Sequence, residues 1–156
     1  MTKLSSKASL AFLVLALLVF TLQAQETKKL CEYEMVVSTG PSKGPSTKLW
    51  VIVEAIFGEN INTTDVIKRW GAMGPRHTYF LPNSNDKFRV NLPCVEQNFC
   101  AVLIGGKKGE LKPHWHINNI TVSTKGEGID RFKTFGFHPE HEFESVYPYI
   151  DDGECP

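Results

Sequence analysis

The longest apolar stretch of the chain lies near its N-terminus, where every residue from Leu10 to Phe20 is apolar. Two lysines precede this stretch, and Ala24 offers a small residue shortly after it. This combination is typical of a secretory signal peptide. The stretch is shorter than the roughly 20 residues that a membrane-spanning helix needs. We therefore predict a signal peptide of residues 1–24 and a mature domain of residues 25–156 in the secretory pathway, extracellular or in the endoplasmic reticulum.

The rest of the chain consists of short apolar or alternating stretches separated by turn residues. This pattern predicts β-strands in residues 31–38, 48–57, 87–92, 99–104, 114–124, 131–138 and 141–147. Residues 64–73 have apolar positions at helical spacing instead, with Asp65 as a candidate N-cap and Gly74 after the last apolar position. Many short strands with one short helix favour an all-β sandwich.

The predicted strand 114–124 changes its apolar phase near its middle. The apolar residues before Asn118 and those after Asn119 would point to opposite faces of a regular strand. A β-bulge at Asn118-Asn119 would bring both sets to one face, and we predict one there.

The charge of the chain is balanced. Removing a leader with two of the 17 lysines and arginines leaves 15 of them against 17 acidic residues, a net charge of −2. A nucleic-acid partner requires a basic surface, and we therefore expect none. Charge alone also gives no basis for binding an anionic membrane.

The mature chain contains four cysteines, which in a secreted protein predicts two disulfides. Three pairings are possible. We favour Cys31–Cys155, which would tie the two ends of the domain together, and Cys94–Cys100, which would close a short loop. A zinc site is the rival interpretation, but the close Cys-x-x-Cys pairs typical of such sites are missing.

Three segments and the last two residues occur in a distinctive order: WGAMGPRHTYF (70–80), CVEQNFC (94–100), HWHINNITVST (114–124) and Cys155-Pro156. In order and spacing they resemble the plant embryo-specific protein family, whose members are secreted single-domain PLAT (polycystin, lipoxygenase, alpha-toxin) proteins. The resemblance covers nearly all of the mature chain.

The resemblance implies a PLAT-like sandwich of two four-stranded antiparallel sheets. It also implies a non-catalytic module that binds a protein or a membrane lipid surface, with a role in embryo or seed development. Several PLAT domains bind calcium through acidic residues on either side of the second strand. This chain has Lys48 before that strand, where a lysine replaces an oxygen ligand, and Glu59 and Asn60 after it. We therefore expect no calcium and no other cofactor.

The residues give no support for catalysis. The sequence contains no H-E-x-x-H motif. His114 and His116 would share one face of a strand, and Glu59 could add an oxygen ligand, but we predict no metal site from them. A metal-dependent enzyme and a carbohydrate-binding module remain the alternative functions.

Two sequons predict N-glycosylation, at Asn62 in a predicted loop and at Asn119 in a predicted strand. Aromatic and apolar residues on loops could contact a lipid surface or a partner. The candidates for this contact are Phe80, Leu81, Tyr147 and Tyr149. We expect the protein to be a monomer.

Overall fold

The computed structural model describes residues 28–44, 48–106, 115–126, 128–137, 149–151 and 155. The predicted signal peptide lies outside these ranges. The elements are β1 (Leu30–Thr39), β2 (Leu49–Ala55), a 3-10 turn (Ile56–Gly58), β3 (Asn60–Thr63), α1 (Val66–Trp70), β4 (Asn85–Pro93), β5 (Phe99–Gly106), β6 (Ile117–Gly126), β7 (Ile129–Gly136) and β8 (Tyr149–Asp151). Among the described residues, no helix is long and apolar enough to cross a membrane.

The strands form two antiparallel sheets. The first sheet has the order β4-β1-β6-β7, and the second has the order β3-β2-β5 with the three-residue strand β8 beside β5. The prediction of an all-β fold is confirmed. The sequence did not predict β3 or β8, and the strand predicted at 141–147 lies outside the described residues.

The two sheets bury their inner faces in one apolar core. In β1 the odd positions from Cys31 to Val37 are buried, and in β2 the odd positions from Leu49 to Ala55 are buried. The rings of Tyr33 in the first sheet and Phe99 in the second lie 6.1 Å apart. Because side chains alternate along a strand, these rows of apolar residues position both sheets face to face.

The phase change in β6 is a β-bulge, as predicted. Ser38 of β1 pairs with Asn119, whereas the next residue, Thr39, pairs with Ile117. Asn118 is therefore the extra residue on β6, and it is exposed. The apolar residues on both sides of it are buried on the same face, which the sequence predicted.

The predicted helix is present but shorter than expected. It spans Val66–Trp70, within the predicted range 64–73. The Asp65 carboxylate accepts a hydrogen bond from the Lys68 backbone N–H at 3.1 Å, so the predicted N-cap is confirmed. Gly71 ends the helix, three residues before the predicted Gly74.

All four cysteines form disulfides, but the predicted pairing is wrong. The bonds are Cys31–Cys94 and Cys100–Cys155, with Cα–Cα distances of 4.9 and 5.3 Å. Cys94 directly follows β4 and Cys100 is the second residue of β5, and these two strands belong to different sheets. In the first sheet, Cys31 pairs with Leu92, and β4 then ends beside it. In the second sheet, β8 runs antiparallel to β5 and leads the chain back towards Cys100.

The strand directions give the sandwich two distinct ends. The loop end contains residues 40–44, 64–84 and 115–116, which adjoin the C-terminal end of β1. The stapled end contains the turn 56–59, the connection 94–98 and the Cys31–Cys94 disulfide. Both ends carry residues that the sequence singles out.

Candidate functional site

Phe80, at the loop end, is not available for contact with a partner. Its side chain is 0% exposed, and its ring lies 5.8 Å from that of Phe88 and 4.9 Å from that of Trp115. Its φ of 60° turns the chain so that the ring points into the core. The prediction that Phe80 is an exposed contact residue is therefore wrong.

The turn around Phe80 depends on close backbone approach. The Gly44 N–H donates to the Phe80 carbonyl at 2.8 Å. A Cβ atom on Gly44 would lie 2.5 Å from the Cβ of Phe80 and 2.6 Å from Nε1 of Trp115. Only glycine fits between these two side chains, and this contact joins the β1–β2 loop to the loop before β4.

A buried carboxylate organises the same loop. Asp86 is 0% exposed and accepts hydrogen bonds from the Phe80 N–H at 2.7 Å and the Ser84 hydroxyl at 3.1 Å. Its other oxygen lies 2.6 Å from Nε2 of His77. These three contacts hold both ends of the segment 77–86 to one buried group.

The Asp86 and His77 pair resembles the acid and base of a hydrolase triad, but among the described residues no nucleophile is hydrogen-bonded to it. The His77 ring lies edge-on to the ring of Tyr79, with centroids 4.7 Å apart. Within the described ranges, the Asp86 carboxylate is the only side chain hydrogen-bonded to His77, and no hydroxyl or thiol is. Together with the other bonds of Asp86, this contact holds the loop in place.

The other predicted contact residues have different outcomes. Leu81 is 40% exposed beside the buried Phe80, and Met73 in the same loop is also 40% exposed. Tyr147 lies outside the described residues. The backbone of Tyr149 begins β8, where it pairs with Leu103.

The two candidate metal ligands that the structure describes, His116 and Glu59, lie at opposite ends of the sandwich. His116 lies at the loop end, where its backbone N–H donates to the Ser42 hydroxyl at 3.0 Å, whereas Glu59 lies in the turn of the stapled end. His114 lies outside the described residues. No group of three His, Cys, Asp or Glu side chains arranged to hold a metal occurs in the part of the chain that the structure describes.

The two sequon asparagines differ in their surroundings. Asn62 is exposed and lies in the edge strand β3, not in the loop that the sequence predicted. Its side-chain amide donates to Asn60 at 3.0 Å. Asn119 is half-buried in β6, a central strand of the first sheet. Glycosylation at either position stays a prediction, and Asn62 is the more accessible acceptor.

The sequence did not single out Phe57, the most exposed large apolar residue of the described chain. Phe57 lies in the β2–β3 turn at the stapled end and is 78% exposed. Its φ is 69° and that of Gly58 is 81°, so two successive residues adopt left-handed conformations. A left-handed conformation costs a residue with a Cβ atom roughly 1–2 kcal/mol. The available signal was the aromatic residue directly before Gly58.

The turn itself is firmly held even though its tip is exposed. The Ala55 N–H donates to the Glu59 carbonyl at 2.7 Å, and the Ile56 N–H donates to the Asn98 carbonyl at 3.0 Å. These bonds attach the turn to β2 and to the connection between β4 and β5. Phe57 therefore projects from a fixed support.

The rest of the stapled end is largely polar. Two adjoining depressions of about 400 and 750 Å³ share Lys28, Glu59, Pro93 and Cys94 in their walls. Leu30, at the start of β1, is 63% exposed. The stapled end thus presents exposed apolar side chains beside charges of both signs.

Comparison with known proteins does not add a family assignment: no family model matches the chain, and no curated protein matches its sequence.

Proposed function

We propose that the protein is a secreted, non-catalytic PLAT-like binding module that acts in plant embryo or seed development by binding a membrane lipid surface. Three observations support the proposal. The two disulfides are typical of secretory-pathway proteins. The two antiparallel sheets agree with the sandwich that the resemblance implies. The third observation, the exposure of Phe57, carries the choice of partner.

Phe57 combines two unfavourable features at one position. Its ring is 78% exposed to water, and its backbone has a φ of 69°. Glycine or asparagine would occupy a left-handed, exposed turn position at lower cost. Backbone strain of this kind is concentrated at functional sites, and an exposed aromatic tip is suited to the interfacial region of a bilayer.

A lipid surface fits this tip better than a protein surface does. A stable protein interface buries about 800 Å² on each partner and usually contains a cluster of aromatic anchors. Phe57 and Leu30 are the large apolar side chains exposed at the described part of the stapled end. A fluid bilayer can receive a single projecting ring without a complementary shape.

The expected strength follows from the area of the ring. Complete burial of a phenylalanine side chain contributes about 1.5–3 kcal/mol, and Phe57 is 78% exposed before binding. Its insertion therefore contributes about 2 kcal/mol, or about 30-fold in the partition coefficient. Such binding is reversible. Because lysines and carboxylates both line the depressions of the stapled end, we expect only a weak dependence on salt.

The test is co-sedimentation of the oxidised mature protein with phosphatidylcholine vesicles, with and without phosphatidylglycerol. Phe57→Ser should lower the partition coefficient by about 30-fold. Phe132→Ser is the matched control, because Phe132 is 76% exposed but lies on β7. If wild type does not sediment at any lipid composition, or if both variants lose binding equally, the lipid proposal is wrong. A protein surface would then be the remaining partner.

A further inference from the structure

Phe132 exposes a large aromatic ring on the outer face of the first sheet. Its side chain is 76% exposed, and β7, on which it lies, is an edge strand of that sheet. The even positions of β7 from 130 to 136 share this face, and all of them are exposed. A large apolar side chain on an edge strand favours association with other chains. The described part of the chain does not cover this ring.

A sequon asparagine lies on the same outer face. In β6 the even positions from 120 to 124 are buried, so the odd positions, beginning with Asn119, point away from the core. Asn119 pairs with Gly136 of β7, and Ser123 pairs with Phe132. Asn119 and Phe132 are therefore separated by four residues along neighbouring strands, roughly 13 Å at about 3.4 Å per residue.

Only small side chains lie between Asn119 and the ring. Thr121 pairs with Thr134 midway between them, and the two hydroxyls are 2.9 Å apart. A Cβ atom added at Gly136, directly opposite Asn119, would meet no described atom within 4 Å. A group attached to Asn119 therefore has room to lie along β7 as far as Phe132 without colliding with a described side chain.

The Asn119 side chain is available for attachment. Asn119 is half-buried, and no described residue forms a hydrogen bond with its side-chain amide. The amide of Asn62, by contrast, already donates to Asn60 at 3.0 Å. Thr121 completes the sequon, which in a secreted protein is an acceptor for a glycan on the asparagine nitrogen. The acceptor, the free surface and the exposed ring therefore lie in one line on one face.

We propose that Asn119 carries an N-glycan whose first N-acetylglucosamine rings lie along β7 and cover Phe132. The C–H groups of a sugar ring form an apolar face with slight positive charge, which packs against the negative face of an aromatic ring. The Thr121 and Thr134 hydroxyls lie beneath the sugars and can exchange hydrogen bonds with them.

The glycan has a physical consequence for the edge of the sheet. It removes the ring of Phe132 from water and blocks the approach of another chain to β7. This inference depends on the secretory route but not on the binding of lipid by Phe57, so either proposal can fail while the other stands.

The test uses protein secreted from insect cells with Asn62→Gln, which leaves Asn119 as the remaining Asn-x-Ser/Thr sequon. Mass spectrometry should find a glycan on the peptide that contains Asn119. Phe132→Trp then reports on the cover. Acrylamide should quench this added tryptophan about half as strongly in the glycosylated protein as in the Asn119→Gln form, because a sugar covers one of the two faces of the ring.

Phe57→Trp is the matched control, because Phe57 is 78% exposed at the stapled end. Quenching at this position should not depend on the glycan. The fluorescence of the parent protein, which contains three native tryptophans, is subtracted in each case. An unmodified Asn119, or equal quenching of Phe132→Trp with and without the glycan, overturns the proposal.

Sedimentation velocity checks the covering role independently. Asn119→Gln should self-associate more than the glycosylated protein, and adding Phe132→Ser should restore the monomer. Thr121→Ala also removes the sequon and should behave like Asn119→Gln, which separates loss of the glycan from damage at position 119. A monomeric Asn119→Gln, or association that Phe132→Ser does not reverse, contradicts the proposal. If the glycosylated protein itself forms dimers that Phe132→Ser dissociates, a second copy of the chain covers the ring and the proposal is wrong.

Discussion

Replacing Tyr33 with phenylalanine removes a hydroxyl that ties β1 to the connection between the two sheets. The hydroxyl donates to the Pro93 carbonyl at 2.9 Å and accepts from the Val95 N–H at 2.7 Å. The ring is 2% exposed and keeps its packing in the variant. Because the buried Val95 N–H loses this acceptor, we expect the free energy of unfolding to fall by about 1–3 kcal/mol.

The same residue predicts how stability depends on pH. Burial raises the pKa of the Tyr33 hydroxyl above its usual 10.0, although the Val95 N–H and Arg131 partly oppose the rise. A raised pKa means that the folded state holds the proton more tightly than the unfolded state does. The resulting stability is complete below pH 10.0 and is lost as the pH rises through the raised pKa. Tyr33→Phe lacks this contribution.

Urea unfolding of both proteins, with the disulfides intact, measures the two effects. The difference in unfolding free energy should be about 1–3 kcal/mol at neutral pH. It should narrow above about pH 10, because only wild type then loses stability through Tyr33. A difference in unfolding free energy below about 0.3 kcal/mol at neutral pH would refute the assigned hydrogen bonds. The same difference at neutral pH and above about pH 10 would refute the buried ionisation of Tyr33.

Three further predictions concern packing, the buried carboxylate and the disulfides. Phe80→Ala should lower the free energy of unfolding, measured in urea, by about 3–5 kcal/mol. Its neighbour Leu81→Ala is the control and should change that free energy by less than about 1 kcal/mol. Similar losses of unfolding free energy in the two variants would show that Phe80 is not buried. Asp86→Asn should lower the free energy of unfolding by about 2–3 kcal/mol and speed hydrogen exchange at the Phe80 amide, which donates to this carboxylate. An unchanged exchange rate would contradict the role of Asp86 in holding the loop. Replacing Cys31 and Cys94 together by alanine should lower the free energy of unfolding by about 4 kcal/mol. Peptide mapping of the oxidised wild-type protein should recover a peptide in which Cys31 is linked to Cys94. A peptide that links Cys94 to Cys100 would contradict the topology.

The parts of the fold that follow from local patterns could be predicted from the sequence. Alternation along β1 identified its buried face, because side chains of a strand alternate whatever the partner strand is. The phase change at Asn118-Asn119 identified the bulge for the same reason. Asp65 was recognisable as an N-cap because capping depends on residues only three positions apart.

The parts that depend on long-range topology could not be predicted. The proximity of Cys94 and Cys100 in the chain favoured their pairing, but β4 and β5 belong to different sheets. Phe80 looked like a loop residue, but its left-handed backbone and the hydrogen bond from its N–H to the buried Asp86 belong to a turn that directs the ring into the core. The apolar pattern placed Phe57 at the end of a strand. Its exposed, left-handed turn position follows from where the β2–β3 hairpin closes, which the local pattern does not specify.

The most direct test of the central claim is to ask whether position 57 enters a bilayer. Phe57→Trp places a fluorescent reporter at the tip, and Phe132→Trp places one at a similarly exposed position on β7. With vesicles of brominated phosphatidylcholine, which quench tryptophan at short range, we predict quenching and a blue shift for Phe57→Trp. We predict neither change for Phe132→Trp. Equal quenching of both variants, or none in Phe57→Trp, would contradict the proposal that this turn binds a lipid surface.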